Sequence, residues 1–248
     1  MQPPLTAHTP FRSGRKRAAA ASILLAASLS VNLLGALATL IEIVNGSATR
    51  PASNEEVSVF DLVEVGIGLL HIVVFIATVV AFCMWIHRAY ANLPALGNPK
   101  PALKHSPWWA VGSFFVPFAN LVIPYRAVKE VWSKSDPTVS TDYYVAPQEA
   151  SAPLVMSLWW AFWLISNFVN NAAFRLRLEA KSAQQFLVAA YLDLFGSLLL
   201  VPAAAFAISV VREINNRQDE RSKRVNYLPQ APPPPPIFRQ PQDTEAKP

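Results

Sequence analysis

Two sets of residues in this sequence have the types and spacing to do chemistry. The first is a pair of ionisable groups, His71 and Asp193, each set inside a long apolar run, 62–86 and 186–211. An imidazole or a carboxylate in such surroundings is expensive to bury and needs a partner. The pair therefore points to proton or ligand binding inside a membrane, or to interhelical hydrogen bonds that fix packing. Asn167, Asn170 and Asn171 lie in a third apolar run, and Glu64 precedes His71 by two helical turns. The second set is Arg88, Asn92, Asn120, Arg126, Glu130 and Arg212, which fall at the ends of apolar runs and in the segment between them. The planar donor fork of arginine suits carboxylate or phosphate, so this set points to a lipid headgroup, a soluble anion or a protein partner. The same residues could equally serve as caps and salt bridges.

Beyond these sets the sequence carries no catalytic signature. There is no GxSxG, HExxH or P-loop, and no GxGxxG between a strand and a helix. His8, His71, His87 and His105 are dispersed, and Cys83 stands alone, without a CxxC spacing. The expectation is no catalytic residue, no cofactor and no metal site.

The elements that must position the two sets are helices. The chain of 248 residues is 52% hydrophobic and only 15% charged, against roughly 25% charged in soluble domains, and both shifts point to lipid as solvent. Four apolar segments, 18–44, 62–86, 153–174 and 186–211, are each close to the roughly 20 residues that a spanning helix requires. The first is too long for a signal-peptide core of roughly 7–15 residues. Pro202 in the fourth can be accommodated by neighbouring helices. Residues 1–17 form a basic N-terminus expected to be disordered, 212–224 reads as a charged helical extension, and 225–248 is a proline-rich tail also expected to be disordered. The net charge of +5 does not indicate nucleic acid, because the basic residues flank apolar segments and form no stripe with interleaved aromatics.

The segment 106-SPWWAVGSFFVPFANLVIPYRAVKEVW-132 decides the topology. Without it there are four spans, and seventeen of the 21 lysines and arginines fall on one side, four in the N-terminus, six in loop 87–152 and seven after residue 211. If 108–125 also crosses, the division becomes 10 against 11. Basic residues collect in the cytoplasm, so four spans with both termini cytoplasmic are expected. Ser106-Pro107 reads as a helix N-cap with proline in the first turn, Pro117 interrupts the helix, and Pro124 starts another. Tyr125, Val128 and Val131/Trp132 make an apolar stripe, with Arg126, Lys129, Glu130 and Lys134 away from it. The expectation is a re-entrant or interfacial hairpin over 106–135 that ends in an amphipathic helix. Trp108 and Trp109 would lie at headgroup level, Arg88 and Asn120 would supply hydrogen bonds to the broken backbone, and Arg126 and Glu130 would face outward.

The run 85-WIHRAYANLPALG-97, the segment 106–137, 159-WWAFWLISNFVNNAAFRL-176 and 211-VREINNRQDER-221 together resemble the bacterial membrane family called "domain of unknown function 4328". The resemblance covers about residues 60–221 and rests on Arg88, Asn92, Pro107, Trp109, Pro117, Asn120, Pro124, Glu130 and Trp132. It departs at Ile123, where the family pattern has a polar or basic residue. The resemblance implies the architecture and no activity.

The sequence thus leads to an all-α, polytopic membrane bundle of four transmembrane helices, with a cytoplasmic re-entrant/interfacial hairpin and amphipathic helix, in the cell membrane. The expected role is a non-enzymatic organiser or sensor at the cytoplasmic leaflet, with the lipid bilayer and an anionic lipid or protein as partners. The alternative is a small transporter or channel-like protein with a polar intramembrane site.

Overall fold

The computed structural model describes residues 10–46, 59–98, 100–138 and 152–227. The N-terminal residues before 10, most of the loops 45–61 and 135–152, the tail after 227 and the side chain of Glu64 lie outside the described residues. The described residues are helical and contain no strand. The helices are α1 (Arg15–Asn45), α2 (Val59–Ala91), α3 (Pro107–Gly112), α4 (Ile123–Lys134), α5 (Leu154–Glu179) and α6 (Ala183–Tyr227).

Three helices are long and apolar enough to cross a membrane, over Arg15–Asn45, Val65–Ala91 and Ala183–Val225. The fourth expected span, α5, has the length, but Trp159, Trp160, Trp163, Asn167, Asn170 and Asn171 dilute its apolar character. The N-terminus is not disordered throughout: α1 starts at Arg15, so Arg15, Lys16 and Arg17 lie in its first turn, and the Arg12 backbone is hydrogen-bonded to Asn92. The helix stops at Gly46, whose φ of 75° is left-handed and costs glycine nothing. α6 continues past residue 211 without a break, because no glycine or proline intervenes between Pro202 and Tyr227. Val210, Val211, Ile214, Gln218 and Arg221 follow one another at three- or four-residue steps (Val210 and Val211 sharing the first) and are all buried.

The long helices lie side by side in the order α2, α1, α6, α5, and α3 and α4 close the gap between α2 and α5 at one end. The hairpin follows its sequence signals. Ser106 Oγ accepts the Trp109 N–H at 3.0 Å, Pro107 occupies the first turn of α3, and Pro124 that of α4. Between them the chain turns at Phe118, the one non-glycine with positive φ (60°) among the described residues. The core sits at this end of the bundle, where Trp85, Ile86, Tyr90, Leu93, Val128, Val131, Met156, Val210 and Ile214 pack together. Farther along α2, Leu62, Val65, Leu69, Ile72, Val73 and Ile76 are exposed, as a face that meets hydrocarbon would be.

Candidate functional site

The packed end is held by polar groups, and helix geometry explains why they are needed. The last carbonyls of any helix lack intrahelical partners. Here α2 and α4 both end inside the core, so their terminal carbonyls and the turns after them must be satisfied by side chains. The extension of α6 supplies most of these donors. Gln218, 2% exposed, donates through Nε2 to the Ala89 carbonyl at 2.8 Å and to Ser135 Oγ at 3.1 Å. Its Oε1 accepts from Asn92 Nδ2 at 3.3 Å. Arg221, also buried, donates Nε to the Leu96 carbonyl at 2.8 Å and Nη1 to the Asp136 carbonyl. Asn98 donates to the carbonyls of Leu93 and Lys134 at 3.1 and 3.0 Å.

Charge reinforces this clasp. Arg217 donates Nη2 to Asp136 Oδ2 at 2.5 Å and lies over the Trp132 ring, 4.2 Å from its centroid. Burial pushes the Asp136 carboxyl up. The Thr138 hydroxyl and N–H, and then the charges of Arg217 and Arg221, outweigh it and hold the group below the ordinary aspartate range.

A second polar node lies where the connection from α2 to α3 crosses α4. Glu130 accepts the Tyr90 hydroxyl at 2.6 Å and the Lys104 N–H at 2.7 Å, and it sits 3.0 Å from His105 Nδ1. The His105 N–H in turn donates to the Tyr90 oxygen at 2.9 Å. A buried carboxylate is tolerable only when saturated with donors in this way.

The expected cytoplasmic set therefore divides. Asn92 and Glu130 are buried in the two nodes, Arg88 is half-buried beside Gly14, and Arg126 and Arg212 are exposed. Glu130 does not face outward with Arg126, as its position away from the apolar stripe suggested. The Tyr90 hydroxyl and the Lys104 N–H draw it inward. Arg88 and Asn120 do not satisfy the hairpin either, since neither side chain makes a hydrogen bond among the described residues. That work falls to the Trp160 indole, which donates to the Leu121 carbonyl at 2.9 Å, and to the Tyr125–Ser157 hydroxyl contact at 2.9 Å. Tyr90, His105, Asp136, Gln218 and Arg221 were missed. For Gln218 and Arg221 the signal was present, because both continue the spacing of the apolar stripe through Val211 and Ile214.

The intramembrane pair is not joined. α1 lies between α2 and α6, and Asp193 Oδ2 accepts the Thr39 hydroxyl of α1 at 3.3 Å. His71 instead lines a groove of about 530 Å³ between α2 and α5, together with Asn32, Thr78, Ser166, Asn167 and Asn170. Phe114, Phe115, Trp159 and Trp160 line the same groove toward the clasp. Asn170 Oδ1 is buried without a hydrogen-bond partner and presses on Gly196, where an added Cβ would collide with it.

A family model described as Domain of unknown function (DUF4328) matches residues 48–216. The chain belongs to this family. The match runs from before α2 to the middle of the α6 extension, so the family domain contains the hairpin, both halves of the groove wall and the Glu130 node, while α1, Gln218 and Arg221 lie outside it. No curated protein matches the chain, and no solved structure does.

Proposed function

We propose that this protein is a non-enzymatic organiser or sensor at the cytoplasmic leaflet of the cell membrane, and that its hairpin is the working surface. In this reading α1, α2, α5 and α6 all span, and both termini face the cytoplasm, as the lysine and arginine distribution favours. The observation that carries the proposal is the contrast between the hairpin's buried support and its exposed apolar side chains. Its base is fixed by the clasp, yet Trp108 is 76% and Phe118 87% exposed, with Phe115 and Val122 exposed beside them. Large apolar groups on a rigid support, next to a helix that carries arginine outward, suit insertion into an interface. The membrane, or a partner bound to it, is the surface they meet.

Two measurements test this. In a Cys83→Ala background, Lys181→Cys should react with an impermeant thiol reagent from outside intact cells, while Ala102→Cys and Lys223→Cys should react only after permeabilisation. Labelling of Ala102→Cys from outside would reverse the orientation. In vesicles, Trp108 fluorescence should be quenched by lipids brominated near the headgroup, and Trp108→Phe should remove that component. Lack of quenching would place Trp108 and the start of α3 in water. A second reading, carriage of a small molecule, rests on the groove and its His71, Asn167 and Asn170 wall. It requires an apolar or weakly polar substrate, since no arginine or lysine lines the groove.

A further inference from the structure

The N-terminal segment lies along the last turns of α2 in a way that gathers arginines. Met84, Arg88 and Asn92 stand four residues apart and share one face of that helix. The segment 12–17 lies against this face. Arg17 donates Nη1 to the Met84 carbonyl at 3.4 Å. Gly14 lies between α6 and this face, where a Cβ would sit 3.1 Å from Asn215 Oδ1 and in ordinary contact, 3.8 Å, with Arg88 Cγ. The backbone of Arg12 exchanges hydrogen bonds with the Asn92 amide, its carbonyl accepting at 2.9 Å and its N–H donating at 3.4 Å. Arg88 is thereby bracketed by Arg12 and Arg17, whose charges both act on it.

Three like charges brought together by the fold ordinarily have a counter-charge. Among the described residues no carboxylate pairs with Arg12, Arg17 or Arg88. The nearest candidate on α6, Asp219, is taken by Arg15 at 3.1 Å and by the Ser13 hydroxyl at 3.3 Å. Next to the trio, His87 leaves Nε2 buried without a partner, and its ring lies 4.4 Å from that of the exposed Trp108. Arginines gathered on one helix face, close to an exposed indole at the end of an apolar helix, suit the oxygens of a phosphate.

We propose that Arg12, Arg17 and Arg88 form a phosphate-binding site at the clasped end of the bundle. The phosphate belongs to an anionic lipid headgroup or to a soluble phosphate compound. The lipid source rests on the orientation proposed above, and the phosphate chemistry does not.

The test uses the full chain, purified and delipidated in a neutral detergent, with three probes: short-chain phosphatidylglycerol, short-chain phosphatidylcholine and inorganic phosphate. Binding is followed by native mass spectrometry and by the shift in Tm. Phosphatidylglycerol should bind and raise Tm, and phosphatidylcholine should do so much less. Arg88→Gln and Arg17→Gln should each weaken that binding about tenfold, as expected for loss of a charge-assisted contact. Lys223→Gln, an exposed cation at the same end, should leave it unchanged. Without a probe, Arg88→Gln should keep or raise Tm, because it relieves repulsion and removes no hydrogen bond. If inorganic phosphate displaces phosphatidylglycerol in an Arg88-dependent way, the site serves a soluble phosphate. If it does not, the site serves the headgroup. Either result supports the proposal. Three results would overturn it: no Arg88-dependent binding of any probe, equal weakening by Lys223→Gln, or a lower Tm of probe-free Arg88→Gln. None of these bears on Trp108 quenching, so failure here is distinct from failure of the proposed orientation.

Discussion

At the clasped end, α2, α4, α5 and α6 bury large side chains such as Trp85, Tyr90 and Met156 together with a connected network of hydrogen-bonded polar groups. In the groove, walls from the same long helices carry His71 without a hydrogen bond among the described residues and leave Asn170 Oδ1 without a donor. Both regions contain asparagines and ionisable groups next to apolar surface. They differ in whether a helix terminus is present. Where helices end, free carbonyls recruit Gln218, Asn98 and Arg221. Where they run through, the backbone is already satisfied within the helix, and carbonyls such as those of Ser197, Leu24 and Trp163 accept only second bonds, from Asn32, Thr78 and Asn167. Gln218, Asn98 and Arg221 are thus explained by the helix ends they serve, whereas Asn170 in the groove serves none.

The comparison can be broken most forcefully at Arg221. Arg221→Met removes the donors to two buried carbonyls and one of the charges facing Asp136, and should destabilise by about 3–5 kcal/mol, read as a large drop in Tm in detergent. A loss no larger than that from an exposed arginine would mean the clasp is ornamental. Glu130→Gln should cost less, about 1–3 kcal/mol, because the amide can still accept from Tyr90 or Lys104 but loses charge and part of its acceptor capacity.

On the groove side, Gly196→Ala should cost about 1–3 kcal/mol, since Asn170 must swing away from the new methyl. Adding Asn170→Ala should restore most of the loss. A double variant as unstable as the sum of the two single variants would show that the contact is not what makes Gly196 necessary.

Acid titration sharpens the contrast further. The Asp136 pKa is depressed in the folded state, so its contribution to stability is complete above the unfolded value, about 3.9, and is lost as pH falls through the lower folded value. Thermal stability from this group should be flat from pH 7 to about 5 and decline below about 4, and Asp136→Asn should remove that share of the decline. The smallest expected effect is a null coupling. His71→Ala and Asp193→Ala should be additive to within about 0.5 kcal/mol, whereas Asp193→Asn should couple to Thr39→Val.

Much of the clasp was written in the sequence in a form that spacing alone could not decode. Ser106, Pro107 and Pro124 announced the two short helices because capping and proline geometry are local. The inward turn of Glu130 was hidden, because a stripe drawn from α4 alone cannot know that Tyr90 and Lys104 wait forty and twenty-six residues upstream. Their places inside two apolar runs made His71 and Asp193 a candidate pair, but such placement carries no information about the lateral order of the helices. It is the interposition of α1 that separates them. The α6 extension was legible as a helix. Its burial was missed because charge was taken as a mark of exposure, while Arg221 and Gln218 are buried by the carbonyls they serve.

The continuity of α6 also has a mechanical side. Forty-five residues in one helix, at about 1.5 Å each, make a rod of about 68 Å, fastened at one end into the clasp and flanked along its length by α1 and α5. A rod anchored so far from its free end acts as a lever: a few degrees of tilt forced by a thinner or stretched bilayer become several ångströms of travel at the other end. Pro202 is the weak section of that lever. Bending there absorbs the tilt, and stiffening the position with alanine would deliver it, undiminished, to the joint that holds the hairpin.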